Sequence, residues 1–275
     1  MPNNNTLTIN NLKLEYRAVG DIRSRKETIV MLHEGLGCVS LWNDFPERLA
    51  EATGWRVITY SRSGYGSSSP CDLPRPLTYM HDEAFEVLPA VLDRVGFDGG
   101  ILLGHSDGAS IAAIYAGAHS DDRLRGLVLI APHFFIELAG LEAIERARVA
   151  FVNGDLRPRL EKHHKENIDC AFWGWCNAWL DPDFERWDIR KHLSDIAQPV
   201  LAIQGVNDEY GSLEQLDELE AYCRASVARF IIPDCGHTPH RENPAATLSA
   251  IHALINRLPQ PCTPALHLTT DAVRS

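Results

Sequence analysis

The chain has 275 residues, 45% apolar and 23% charged, a usage that fits a compact globular protein and disfavours wholesale disorder, collagen-like repeats and coiled coil. With 26 Lys and Arg against 37 Asp and Glu the net charge is −11, and no basic cluster offers the phosphate-neutralising footprint of a nucleic-acid binder, so DNA and RNA are not expected partners. The longest apolar runs, such as 127–131, fall far short of the roughly 18 residues that span a bilayer, and the N-terminal MPNNNTLTIN lacks an apolar signal core, so no membrane partner is expected and the cytoplasm is the expected location.

The first predicted elements are two strands, Leu7–Ile9 and Leu12–Tyr16, which straddle Asn10-Asn11 and read as a hairpin. Six short Val-, Ile- and Leu-rich runs follow, at Ile29–Leu32, Val57–Tyr60, Ile101–Leu103, Leu127–Ile130, Val200–Ile203 and Phe230–Ile232, each with the character of a strand buried on both faces. Segments of helical spacing alternate with them: Phe85, Leu88, Leu92 and Val95, then Leu213, Leu216 and Leu219, and last Leu248, Ile251, Leu254 and Leu258. Gly96 reads as a helix stop, and Asn243-Pro244 as the start of the last helix. The pattern predicts an α/β fold with a mostly parallel eight-stranded sheet flanked by helices.

One stretch breaks the alternation. Residues 133–196 contain no convincing strand and read as a helical cap inserted after the sixth strand, with Trp173, Trp175, Trp179, Trp187, Phe172 and Phe184 concentrated in it. Most such rings serve to pack a cap onto the main domain. The expected organisation is a core of 1–132 and 197–258, the cap, and a C-terminal extension over 259–275, where proline is present and period is lost.

The strongest chemical signal is Gly104-His105-Ser106-Asp107-Gly108, which lies between a predicted strand and the helix-like ASIAAIYAGAH. A sharp strand-to-helix turn strains the serine outward and needs small neighbours where backbones crowd, and the Asp107 amide then sits at a helix N-terminus facing developing negative charge. A serine hydroxyl is a weak nucleophile at neutral pH, so it needs a base and an acid to orient that base. Asp208, after the strand at 200–203, and His237, after the strand at 230–232, follow in the chain at the same expected sheet edge. Taken singly, each has a bland reading as a turn or core residue; jointly, Ser106, Asp208 and His237 make a catalytic triad the expectation. Glu209 is the weaker alternative acid. The seven cysteines form no CxxC pair, and neither they nor the twelve histidines show metal-ligand spacing, so no metal is expected. Cys235 reads as a small buried residue rather than a nucleophile. The run Arg157, Arg159, Lys162, His163, His164 and Lys165 reads as a solvated helix face, with contact to a phosphate-bearing carrier such as coenzyme A as the sharper alternative.

With the order Ser, acid, His in place, the sequence resembles the α/β-hydrolase superfamily, in particular its cap-bearing esterase-like branch. Two further segments carry the resemblance. His33-Glu34-Gly35-Leu36-Gly37 matches the family's His-Gly loop, whose following amide completes the oxyanion hole, and Ser61-Arg62-Ser63-Gly64-Tyr65-Gly66-Ser67-Ser68 resembles its Asp-Arg-x-Gly-x-Gly-x-Ser turn. The resemblance implies an oxyanion hole from the amides of Asp107 and either Gly35 or Leu36, with Gly35 favoured. Glu34 replaces a glycine, Ser61 replaces an aspartate, and Asp107 stands where an apolar residue or Gln is frequent. Carboxylates at 34 and 107 would disfavour an anionic group beside the reacting carbonyl, unless both are tied up locally.

The reading that results is a cofactor-independent serine hydrolase cleaving a carboxylic ester of a small to medium apolar or aromatic substrate through an acyl-enzyme. Glu34, Trp173, Trp175, Trp179 and His240 are the expected pocket residues, and His33 is expected to brace its own loop. The same constellation serves lactonases, acyl-CoA thioesterases and hydrolases of carbon–carbon bonds, and the fold also hosts lyases and small-ligand receptors. The expected partner is a small-molecule substrate; a homodimer is compatible with the sequence.

Overall fold

A computed structural model describes residues 5–21 and 27–258. The extension expected over 259–275 lies outside the described residues. Eight strands form one sheet: β1 (Asn5–Ile9), β2 (Leu12–Val19), β3 (Thr28–Leu32), β4 (Arg56–Tyr60), β5 (Gly100–His105), β6 (Leu124–Ile130), β7 (Val200–Gly205) and β8 (Val227–Ile232), in the order β1-β2-β4-β3-β5-β6-β7-β8. The pairs β1–β2 and β2–β4 are antiparallel and the rest parallel. The β1–β2 turn closes on Asn10 and Asn11, both at positive φ, a conformation that asparagine tolerates better than most residues.

The helices are α1 (Phe45–Thr53), α2 (Tyr79–Asp82), α3 (Leu88–Arg94), α4 (Asp107–Ala118), α5 (Leu138–Asn153), α6 (Leu156–His164), α7 (Ile168–Trp179), α8 (Arg190–Leu193), α9 (Glu214–Tyr222), α10 (Pro239–Glu242) and α11 (Pro244–Ile255). Side chains alternate across the strands and divide the core into two layers. Ile29, Met31, Val57, Ile101, Leu103, Val128, Leu201 and Ile203 meet α1 and α11 on one face. Val30, Leu32, Ile58, Leu102, Leu127, Leu129 and Ala202 meet α3, α4 and α9 on the other. Each of the larger of these side chains, Val, Leu, Ile and Met, contributes roughly 1.5–3 kcal/mol relative to exposure, so the sheet is held from both faces.

The α5–α7 segment, with α8, fills the interval between β6 and β7. Its Phe172, Trp175 and Trp179 belong to the second apolar layer rather than to a separate core. No helix among the described residues is long and apolar enough to cross a membrane.

One expected helical stripe needs correction. Phe85 does not share the buried face of Leu88 and Leu92: it is 42% exposed, beside the rings of His81, His119 and His192. The reason is a π-helical turn over Glu83–Val87 between α2 and α3, whose extra residue rotates the positions before it off the face that α3 buries.

Candidate active site

β5 ends at His105, and the backbone turns through Ser106 at φ 53° and ψ −120° into α4. Such a conformation costs a non-glycine residue on the order of 1–3 kcal/mol and persists because its surroundings enforce it. The Ser106 amide donates to the carbonyl of Ile130 (2.9 Å), and its carbonyl accepts from the amides of Ala109 and Ser110 (2.8 and 3.1 Å). The flanking glycines are steric requirements: a Cβ on Gly104 would lie 2.2 Å from the carbonyl oxygen of Gly108, and one on Gly108 would lie 2.1 Å from that of Leu32.

The parallel strands all end at the same sheet edge, and the loops after β7 and β8 bring Asp208 and His237 together there. His237 Nδ1 lies 2.9 and 2.8 Å from the two Asp208 oxygens. Asp208 is further fixed by the Gln204 side-chain amide (2.7 Å) and the Tyr210 backbone amide (2.9 Å). A carboxylate accepts only, so Nδ1 carries the proton and Nε2 is left as the basic nitrogen. Burial works against the His237 imidazolium, yet the adjacent Asp208 carboxylate, helped by Glu209 and Glu34, holds its pKa above the ordinary histidine value. Burial likewise opposes the Asp208 carboxylate, and His237 with the Tyr210 amide outweighs it, lowering the acid's pKa. His133, buried beside His237, is pushed down to about 3 by burial and by the neighbouring ring, so it is neutral.

The three departures in sequence each find a partner. Ser61 donates to Glu15 on β2 (2.8 Å), and the Ser67 amide reaches the same carboxylate oxygen (3.0 Å), so Glu15 supplies the carboxylate that Ser61 lacks. Asp107 is buried and accepts from the Tyr79 hydroxyl (2.6 Å), which in turn accepts from Trp179 Nε1 (3.0 Å); burial raises its pKa despite nearby Arg62. Glu34 Oε2 lies 3.5 Å from His105 Nδ1. Burial disfavours the Glu34 carboxylate, but His105, with His33 and His240, holds it well below the usual carboxylate range. His33 does brace its loop: Nδ1 donates to the Glu34 carbonyl (2.7 Å) and Nε2 accepts from the Arg62 amide (3.1 Å).

Ser106 and His237 line one cavity of about 420 Å³ with Glu34, Gly35, Leu36, Asp107 and His133 from the sheet edge and Gly140, Ile144, Trp175 and Trp179 from α5 and α7. Glu209, Arg241 and Glu242 stand at the same opening, with Glu242 bonded to the amides of Gly236 and Thr238. Two expected pocket residues are elsewhere. Trp173 packs on Phe151 and Phe172, because at 100° per residue it faces away from Trp175 and Trp179. His240 is buried behind the site against Trp42, Phe45 and His105, since α10 turns it inward.

The basic run is also not uniformly solvated. Arg157 pairs with Asp169, while His164 is fully buried, accepting from the Gly66 amide (3.0 Å) and donating to the Leu36 carbonyl (2.9 Å). It ties α6 to the loops after β3 and β4, a role that its place among charged residues conceals. Cys235 is buried, and burial raises its thiol pKa, as a structural cysteine requires.

The family model for the alpha/beta hydrolase fold matches residues 27–190, more than half of the chain. A proline iminopeptidase of Lactobacillus helveticus is 32% identical over 114 residues, which cover 42% of this chain and 38% of that protein. Among solved structures, 2-hydroxy-6-oxo-6-phenylhexa-2,4-dienoate hydrolase from Rhodococcus sp. strain RHA1 superposes with a TM-score of 0.75 at 16% identity, covering 92% of this chain and 98% of that one. The enol-lactonase from Burkholderia xenovorans LB400 gives 0.72 at 18% identity, covering 92% of this chain and 100% of its own. At such identities these structures speak for the fold alone. Together with the strand order and the strained turn at Ser106, the family match makes the chain a member of the α/β-hydrolase fold family.

Proposed function

We propose that the protein is a serine hydrolase that cleaves carboxylic esters through an acyl-enzyme, with Ser106, His237 and Asp208 as its triad. The observation that carries this reading is the bond of His237 Nδ1 to Asp208, with Ser106 lining the same cavity from a strained turn. His237 Nε2 takes the proton as Ser106 Oγ attacks the carbonyl carbon, and returns it to the leaving alcohol. Water then attacks the acyl-serine with the same base. Asp107 and Gly35 both line the cavity, and among the described residues their amides bond to no backbone acceptor, which suits them to the oxyanion. The α5–α7 segment serves as a cap. Its Trp175 and Trp179 give the cavity an apolar aromatic wall, which favours a small to medium apolar or aromatic acyl or alcohol group.

A second reading comes from the named relatives: an amide bond following an N-terminal proline, whose ammonium the Glu34 and Glu209 carboxylates could hold. A panel of nitrophenyl esters, lactones, thioesters, a vinylogous diketone and a prolyl naphthylamide, assayed with wild type and Ser106→Ala, separates the readings. We expect nitrophenyl esters to turn over and Ser106→Ala to lower kcat by about 10⁴-fold or more without loss of fold. Ester turnover that survives the substitution contradicts the triad, and preference for the naphthylamide moves the substrate to the amide class.

A further inference from the structure

The two residues that would supply the oxyanion amides are both held by the α5–α7 segment. A Cβ on Gly35 would lie 2.2 Å from both Cδ1 and Nε1 of Trp175, so this indole of α7 rests on the Gly35 backbone. Gly35 is not at positive φ, so the ring, and not the backbone conformation, requires the glycine. The same loop is tied one residue further on, where His164 at the end of α6 donates to the Leu36 carbonyl (2.9 Å).

Asp107 is held through its side chain. The Tyr79 hydroxyl on α2 lies 2.6 Å from Asp107 Oδ2, and Trp179 Nε1 on α7 lies 3.0 Å from the Tyr79 oxygen. An indole nitrogen only donates, so the Tyr79 oxygen accepts there and its own hydrogen points to Asp107. The chain therefore runs one way, from Trp179 through Tyr79 to Asp107, and all three side chains are buried. Arg75 wedges Tyr79 from the same helix: its guanidinium lies 5.6 Å from the Tyr79 ring centroid, and a Cβ on Gly174 would lie 2.8 Å from Arg75 Nε. Asp107 is the first residue of α4, so fixing its carboxyl fixes the direction of its amide.

We propose that α7 sets the shape of the oxyanion hole: Trp175, packed on Gly35, and Trp179, bonded through Tyr79 to Asp107, hold the two donors in register, with Tyr79 as a positioning residue. Trp175 and Trp179 also line the cavity, so the wall that meets the substrate is the wall that aims the donors. Movement of α7 away from the sheet edge would release both at once. Preorganised donors stabilise a developing charge only while their aim is fixed, which gives the α5–α7 segment a part in the chemical step as well as in enclosure.

The inference rests on the serine hydrolase reading, and its test keeps the two apart. Turnover of nitrophenyl esters is measured per active site titrated with a fluorophosphonate, so that a variant that is only partly folded does not pass for a slow one. Tyr79 is not among the described residues that line the cavity. Tyr79→Phe should nevertheless lower kcat by about 10- to 100-fold, the scale of a misaimed oxyanion donor, with KM within about threefold. Adding Trp179→Phe should lower kcat by no more than about threefold beyond the worse single variant, because both break one chain. Gly35→Ala should lower kcat by at least about 30-fold, and Trp175→Leu added to it should recover about fivefold or more by giving the Cβ room. Trp173→Phe, on the other face of α7, should stay within about twofold of wild type.

A wild-type kcat in Tyr79→Phe overturns the inference, as does a Gly35→Ala defect that Trp175→Leu leaves unrelieved. A fall in KM-limited turnover alone, with kcat kept, also overturns it, since that marks lost binding and not a misaimed donor. If Gly35→Ala fails to fold, Tyr79→Phe still decides. Turnover lost in Ser106→Ala but kept in Tyr79→Phe removes the role of α7 and leaves the hydrolase reading standing, whereas full turnover in Ser106→Ala removes both.

Discussion

Asp208 and Glu209 are adjacent carboxylates in one loop, and geometry alone separates their roles. Asp208 is locked by Gln204, Tyr210 and His237, whereas Glu209 stands exposed at the cavity opening. Because Asp208 is what lifts the His237 pKa against burial, the acid limb of kcat/KM should lie above the ordinary histidine value of about 6.5. In Asp208→Asn the opposing charge is gone and burial remains, so the limb should move to lower pH, with kcat down by about 10⁴, the scale known for Ser-His-Asp enzymes. A pH–rate series checks both, and an acid limb unmoved by the substitution counts against the pairing. The triad candidates were legible because each directly follows a strand-like run, in one chain order. Gln204 and Glu15 were not. A lone amide at a strand end carries no pattern, and Glu15 reaches Ser61 across 46 residues of chain.

At the scale of elements, the β5–α4 turn is packed tightly around Gly104 and Gly108. Gly108→Ala would force a Cβ to within 2.1 Å of the Leu32 carbonyl, so we expect a loss of about 3 kcal/mol, the upper end of ordinary overpacking. Gly99→Ala, whose Cβ meets nothing closer than 3.7 Å, should stay within about 0.5 kcal/mol of wild type. Urea unfolding of the two variants makes the comparison, and equal midpoints would remove the steric account of the turn. The turn could be read from its glycines because only sterics demand them. The π-helical turn over Glu83–Val87 could not, since one extra residue leaves composition unchanged and only shifts the face that the hydrophobic period marks. The division of the tryptophans was available in principle: on α7, positions 175 and 179 are one turn apart, and 173 is on the other side.

The whole molecule carries a pH liability that follows from its buried rings. His33, His133, His164 and His240 are all buried, chiefly held neutral by burial, and have pKa values below the ordinary one. Below pH 6.5 the unfolded chain binds protons that these folded rings do not, so stability must fall as pH falls. The slope is about 1.4 kcal/mol per pH unit for each ring, continuing for His133 toward its folded value of about 3. His237, with a raised pKa, acts oppositely: its contribution is present below 6.5 and lost as pH rises through its folded value. One ring does not offset four. Urea midpoints should therefore drop steeply below pH 6; a midpoint unchanged down to pH 4.5 would contradict the buried neutral rings. The sheet and its alternating layers were legible because burial on both faces leaves continuous aliphatic runs, but the histidine environments depend on contacts between distant loops. If His237 activates Ser106, labelling with a fluorophosphonate followed by peptide mass mapping reads that activation at the hydroxyl itself. We expect one adduct per chain, on Ser106, forming at least about 10³-fold more slowly in His237→Ala. An adduct on another residue, or one that forms on Ser106 at the same rate without the imidazole, would contradict it.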